Sequence, residues 1–242
     1  VVLTEKEQTF PLKSCPNYVF PNADARGYYR FTISDDFNEK LNKSMGLLNL
    51  SEKLALADSL KASFRAGQTD FAQLDPYLRQ YGQMPQRILS TAFADVLRYT
   101  YVNVWNQKPP TAFQKYVDRI YAKPFQKIGY LPLDGESEDI KLQRQAYFSL
   151  LYKYAHRPSV HRWLHKRGKK LLKAKERGSD TSFLQTELRW LALHTTLNHG
   201  TKKTTKRNFN RLSKLLQKEK DASWRRTLIS VLGKTPLEEH FD

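Results

Sequence analysis

The sequence predicts a mostly α-helical chain: a curved stack of about ten antiparallel helices of armadillo or HEAT type, preceded by a few short β-strands. Three observations predict it. From Asp35 onward, apolar residues recur at helical spacing in successive segments. The links between the segments are short, which makes neighbours antiparallel. No repeat of fixed period is present, so the stack is irregular. Two regions follow: residues 1–34 as terminal strands or an extended lead-in, and residues 35–242 as the helical-repeat domain.

The lead-in is β-prone. "TFPLKS", "NYVF" and "YYRFTI" are rich in aromatic and branched residues and are split by Pro11, Pro16 and Pro21. In "YYRFTIS", Tyr29, Phe31 and Ile33 share one face of a strand, with Arg30 and Thr32 on the other. Two or three strands do not stand alone in water, so this region needs a sheet or a helical surface to lie on.

The helices follow in order. "DDFNEKLNKSMG" opens on acids that favour a helix N-terminus and stops at Gly46. In "NLSEKLALADSLKASFRAG", Asn49 and Glu52 have capping-box spacing. Leu50, Leu54, Ala57, Leu60 and Phe64 form a stripe, and Gly67 ends the helix. "TDFAQLDPYLRQYG" is a short helix ending at Gly82. "MPQRILSTAFADVLRYTYVNVW" reads as one long helix, with Ile88, Leu89, Ala92, Val96, Tyr99 and Val102 or Asn103 on one side. "KPPTAFQKYVDRIYAKPFQKIG" carries Pro124 and is expected to kink there. "LPLDGES" is the one candidate hinge. "EDIKLQRQAYFSLLYKYAH" is next. "RPSVHRWLHKRGKKLLKAKERG" then has Pro158 as a first-turn proline. "SDTSFLQTELRWLALHTTLNHG" offers Thr181 and Ser182 as caps and Gly200 as its stop. "TTKRNFNRLSKLLQKEK" and "DASWRRTLISVLG" close the series.

Composition narrows the function classes. Apolar residues make up 40% of the chain and aromatics 12%, enough for a core. No stretch reaches the roughly 18 consecutive apolar residues of a membrane helix. The opening "VVLTEKEQTF" lacks the basic-then-apolar order of a signal peptide and an initiator Met, as expected of a fragment or a processed chain. The single cysteine, Cys15, excludes an internal disulfide and a Cys-based zinc cluster. The net charge of +17 is uneven: residues 1–140 carry +1 and residues 141–242 carry +16. The second half therefore attracts anions.

Chemical motifs are scarce. His161 and His165 in "HRWLH" share a helix face at i and i+4, a spacing that can hold one metal. Zinc peptidases place a Glu after the first His as general base. Here that position is Arg162, and Lys166, Arg167, Lys169 and Lys170 add further repulsion. Both histidines are therefore read as structural, flanking the stripe of Val160, Trp163, Leu164 and Leu171. The carboxylate groups Asp35–Asp36, Glu136–Glu138–Asp139 and Glu238–Glu239 read as helix starts or a solvated tail. No G-x-S-x-G, P-loop, G-x-G-x-x-G or C-x-x-C occurs. No catalytic residue and no metal or cofactor ligand is assigned to this chain.

The basic segments remain. "HRWLHKRGKKLLKAKERG" carries eight Lys/Arg against one Glu, and "KKTTKRNFNRLSKLLQKEK" is similar. Arg162, Lys166, Arg189, Arg207 and Arg211 are the candidate contacts to a peptide or another anion. Trp163, Trp190, Phe209 and Trp224 could stack on nucleic-acid bases, but their spacing puts them on apolar stripes. A free-standing binding module for RNA or an acidic protein is the alternative reading, with nucleic acid the less favoured partner.

"PNADARGYYRFTISDDFNEKL", followed by "GLLNLSEKLALADSLKASFRAGQTDFAQLDPYL", resembles the junction and first helices of the C-terminal helical domain of aminopeptidase-N-type zinc peptidases. The junction motif maps onto Asn22, Gly27, Tyr28, Tyr29 and Arg30. The family's Leu-Ser start and Ala-Gly end map onto Leu50-Ser51 and Ala66-Gly67. The late "ASWRRTLISVLG" matches through Arg225, Arg226, Leu228, Leu232 and Gly233. The resemblance implies that residues 1–34 end a small β-sandwich. It also implies that the chain caps the active-site chamber of a parent that removes N-terminal amino acids from peptides. Zinc, held by an HExxH motif and a downstream Glu, would belong to the parent's separate catalytic domain. Counting onward from His161 and His165 in the family's manner reaches Leu184, which cannot bind metal. The implied partners are the upstream catalytic and β-sandwich domains and the peptide substrate. An envelope or secreted parent is favoured over a cytosolic one, and the compartment itself is left open.

Overall fold

A computed structural model of the chain describes residues 9, 11–16 and 18–235, with only the backbone of Asp35. The expected runs through Phe10 and Asn17 lie partly outside these residues, and Glu238–Glu239 wholly so. The described chain is mostly helical. Its α-helices are α1 (Asp35–Lys43), α2 (Leu50–Arg65), α3 (Phe71–Gly82), α4 (Arg87–Ser90), α5 (Ala94–Tyr99), α6 (Thr111–Ile128), α7 (Glu138–Lys153), α8 (Pro158–Glu176), α9 (Thr186–Leu197), α10 (Lys202–Lys218) and α11 (Ala222–Leu232). Two compact units divide the chain, Val1–Tyr81 and Gly82–Asp242.

No strand forms among the described residues of the lead-in. A strand needs a ladder partner, and the stretch meets a helix instead. Phe31 N–H donates to Ser59 Oγ at 3.4 Å, and Arg30 Nε donates to Asp58 Oδ2 at 3.0 Å, both on α2. The lead-in therefore belongs to the same unit as α1 to α3, and the boundary of that unit falls at Tyr81, within the helical series.

In the first unit, α2 starts on a complete capping box. Asn49 accepts from Glu52 N–H at 2.9 Å, and Glu52 accepts from Asn49 N–H at 2.9 Å. Its buried face is Leu56, Ala57, Ser59, Leu60 and Ser63. Leu50 is exposed and Leu54 and Phe64 are half-buried, so the face is rotated from the expected stripe. The rotation turns Ser59 toward Phe31 N–H and Ser63 toward Thr69 Oγ1, which lies 2.7 Å away. Tyr77 and Tyr81 of α3 are buried, and their hydroxyls donate to the carbonyls of Asn38 (2.9 Å) and Lys53 (2.6 Å). Burial raises both phenols above their ordinary range.

In the second unit, the long helix expected over 84–105 is broken. Ser90 and Thr91 hydroxyls bond back to the Arg87 carbonyl at 3.2 and 2.8 Å, residues 91–93 turn, and Thr100–Val104 form a π-helix. Side chains that compete for backbone carbonyls weaken the ladder there. The break and the π-turn shift the helical phase. Ile88, Tyr99 and Val102 are exposed as a result, while Leu89, Val96 and Leu97 are buried. Helix α6 runs unbroken through Pro124 to Gly129, whose φ of 69° ends it.

The "LPLDGES" turn, the candidate hinge, is tethered to α7. Glu136 pairs with Arg144, whose guanidinium also donates to the carbonyls of Ile128 and Gly129 at 3.0 and 3.1 Å. Arg144 thus closes the C-terminal end of α6, where its charge complements the helix dipole. Helix α9 starts at Thr186, past the expected caps. Asp180 takes Ser182 N–H and Oγ into a local turn, which keeps Thr181 and Ser182 outside the helix. Pro158 occupies the first turn of α8.

Consecutive helices pack as α6 with α7, α8 with α9 and α10 with α11. An aromatic cluster joins α6, α7 and α8: Phe125 lies 4.9 Å from both Tyr130 and Phe148, and Phe148 lies 5.0 Å from Trp163. Helices α8 and α9 cross closely at Gly168. A Cβ there would lie 2.1 Å from the Ala192 carbonyl oxygen and 2.2 Å from Thr196 Oγ1.

Candidate functional site

The five candidate contact residues divide by environment. Arg162 and Lys166 are exposed one turn apart on one face of α8. Arg207 is exposed on α10. Arg211, one turn further along α10, is already paired: Nε and Nη2 donate to the two Glu176 oxygens at 2.6 Å each. That fork-to-fork pair holds Glu176 below its ordinary value and Arg211 above its own. Arg189 of α9 is half-buried, its guanidinium 4.8 Å from the Trp224 ring. Lys175 approaches the same ring at 4.5 Å and pairs with Glu219 at 2.5 Å. Arg189 and Arg211 therefore brace helices, while Arg162, Lys166 and Arg207 are presented to solvent.

These residues do not converge on one point. Arg162 and Glu176, where Arg211 is anchored, stand fourteen positions apart on α8, about 21 Å along its axis. The arrangement is an extended basic surface, suited to contacting a long anionic partner at separated places and unsuited to enclosing a small substrate.

His161 and His165 are drawn to different partners. His161 Nε2 lies 3.1 Å from the Tyr152 carbonyl oxygen, and its ring packs on Tyr152 at 4.3 Å. His165 stacks on His199 with centroids 3.8 Å apart, and its Nδ1 is buried without a hydrogen-bond partner. Burial lowers the pKa of both rings. The neighbouring His156 and His199 charges add to this at His161, and His199 and Lys169 at His165. No group of three His, Cys, Asp or Glu that could hold a metal ion occurs among the described residues.

At the junction, Asn22 is buried and brackets Gly27. It donates to the Gly27 carbonyl at 2.8 Å and accepts from its N–H at 2.7 Å. The Tyr29 ring folds over Gly27 so closely that a Cβ would lie 2.0 Å from Cε1, and the Tyr29 hydroxyl donates to the Pro21 carbonyl. Glu52 receives Asp24 N–H at 3.1 Å, and Asn49 donates to Asp24 Oδ1 at 2.9 Å, so the capping box of α2 also fixes the lead-in. Tyr28 is fully exposed. A cleft of about 620 Å³ opens beside Tyr29, Arg30, Leu54 and Asp58.

Several organising residues carry no sequence signal. Gly168 sits in a lysine-rich run and reads as solvated, yet it is the crossing point of two helices. Tyr152 links α7 to α8 and α9, through the His161 contact and through its hydroxyl 2.8 Å from His194 Nδ1. Helical spacing could have shown that Gly168 lies four positions after Leu164 on the buried side; it could not have shown what faces it.

Against known proteins, the family model described as ERAP1-like C-terminal domain matches residues 18–242. No curated protein matches the chain.

Proposed function

The chain belongs to the ERAP1-like C-terminal domain family, and on that premise we propose that it is the non-catalytic helical domain of a zinc aminopeptidase. It caps the active-site chamber and contacts the distal part of peptide substrates. The observation that carries this reading is the family match across residues 18–242. Zinc and the hydrolytic step belong to the upstream catalytic domain of the same polypeptide. The exposed Tyr28 and the adjoining cleft meet the small β-sandwich of the parent. The pairing of α6 with α7, α8 with α9 and α10 with α11 supports a curved, HEAT-like stack of the second unit.

In this reading Arg162, Lys166 and Arg207 contact acidic side chains of a bound peptide or its terminal carboxylate, and Arg189 and Arg211 hold the helices that present them. The test is the full enzyme carrying Arg162→Glu, Lys166→Glu and Arg207→Glu. KM for long acidic peptides should rise about tenfold, with neutral dipeptides turned over as before. Equal losses on both substrate classes would sink the proposal.

A further inference from the structure

Three basic side chains from three elements lie around the C-terminal end of α7, one of them against Trp190. Lys153, in the last turn of α7, holds Nζ 5.1 Å from the Trp190 ring centroid. Tyr101 packs on Tyr154 at 5.1 Å, which brings Arg98, three positions before it on α5, to the end of α7. Trp190 Nε1 donates to Ser230 Oγ at 3.0 Å, and Lys234 follows one turn beyond Ser230. His194 completes the group, its ring stacked on Trp190 at 4.7 Å.

All three cations are exposed, and no carboxylate forms an ion pair with any of them among the described residues. They act on one another. Partial desolvation beside Trp190 holds the Lys153 ammonium below its ordinary value although the residue is exposed, and the charges of Arg98 and Lys234 push it further. His194 feels Lys153 and Lys234 in the same direction. A single cation is enough to complement the C-terminal dipole of α7. Three, drawn from α5, α7 and the segment after α11, repel one another, and an anion among them relieves that repulsion.

We propose that Arg98, Lys153 and Lys234 form a binding site for a phosphoryl group beside Trp190. A carboxylate carries one charge against three. A phosphoryl group carries nearly two and offers three acceptor oxygens, one for each cation. None of the five residues proposed for peptide contact takes part.

The test is titration of the full chain with inorganic phosphate and with O-phosphoserine at fixed ionic strength, read by calorimetry and by the Trp190 indole N–H resonance. Saturable one-to-one binding that shifts the Trp190 signal is expected. Lys153→Gln and Arg98→Gln should each weaken it about tenfold. The exposed pair Arg225→Gln/Arg226→Gln, with greater charge loss, should weaken it less than about twofold. A preference for phosphoserine assigns the site to a phosphoryl ester, and the reverse preference to the free ion. Non-saturating binding, equal sensitivity to the Arg225/Arg226 pair, or acetate binding as well as phosphate would each overturn the proposal.

Discussion

Gln83 Nε2 donates a hydrogen bond of 2.7 Å to the carbonyl of Ile120. That carbonyl is the one Pro124 leaves without its i+4 partner, because proline has no N–H. The side chain therefore replaces the missing rung of α6, which explains why the helix passes through Pro124. Gln83→Ala should cost about 1 kcal/mol in urea unfolding. In a Pro124→Ala background, where residue 124 regains its N–H, the same substitution should cost less than half as much. Equal costs in both backgrounds would show that the two residues are not coupled.

Gly168→Ala tests the crossing of α8 and α9. The added methyl meets a backbone oxygen, Ala192 O, at 2.1 Å, and backbone cannot rotate away. The helices must separate, with an expected loss of about 2–4 kcal/mol. Trimming the other neighbour with Thr196→Ala should recover only part of it, since the Ala192 carbonyl remains. A loss below about 0.5 kcal/mol would mean that the crossing is loose.

Helix identity was legible wherever the signal is local. The Asn49–Glu52 capping box, Pro158 and the stop at Gly67 are each set by a few adjacent residues, and each stands where the spacing put it. The junction residues were legible as a motif, though not the α2 side chains that hold them. What failed depended on partners distant in sequence. The break after Ser90 is the exception: its hydroxyl and carboxylate bonds are local, one of them accepted by Asp95 from Val96 N–H, but side chains that compete for backbone groups leave the apolar periodicity unchanged. The rotated face of α2 needs Phe31 and Thr69. The basic residues of α8 and α10 looked alike in the sequence. Only packing separates Arg211, locked to Glu176, from Arg207, which is exposed.

The Arg144–Glu136 pair predicts how the turn after α6 behaves. The Arg144 side chain is 0% exposed and that of Glu136 is 6% exposed. Arg144→Met strands a buried carboxylate and two helix-end carbonyls, so a loss of about 3–5 kcal/mol is expected. Arg144→Met with Glu136→Leu removes both charges and should recover much of that loss. If the double variant were no more stable than the single one, the cost would come from the carbonyls and not from the stranded charge.

His194 predicts an acid-sensitive fold. Burial, followed by the charges of Lys153 and Lys234, lowers its pKa from about 6.5 to about 4. The unfolded chain therefore binds a proton at His194 at higher pH than the folded chain does. Stability from this residue is complete above pH 6.5 and falls as pH drops toward 4. Between pH 7 and pH 5 it should decline by about 2 kcal/mol. His161 and His165, lowered in the same direction, add to the slope. The carboxylates held low by ion pairs, Glu136, Glu176 and Glu219, act in the opposite range, losing their contribution only below about pH 4.5. The window from pH 7 to pH 5 thus isolates the histidines. Unfolding free energy measured across it should fall, and His194→Gln should flatten the fall; a slope unchanged in the variant would place the proton uptake elsewhere.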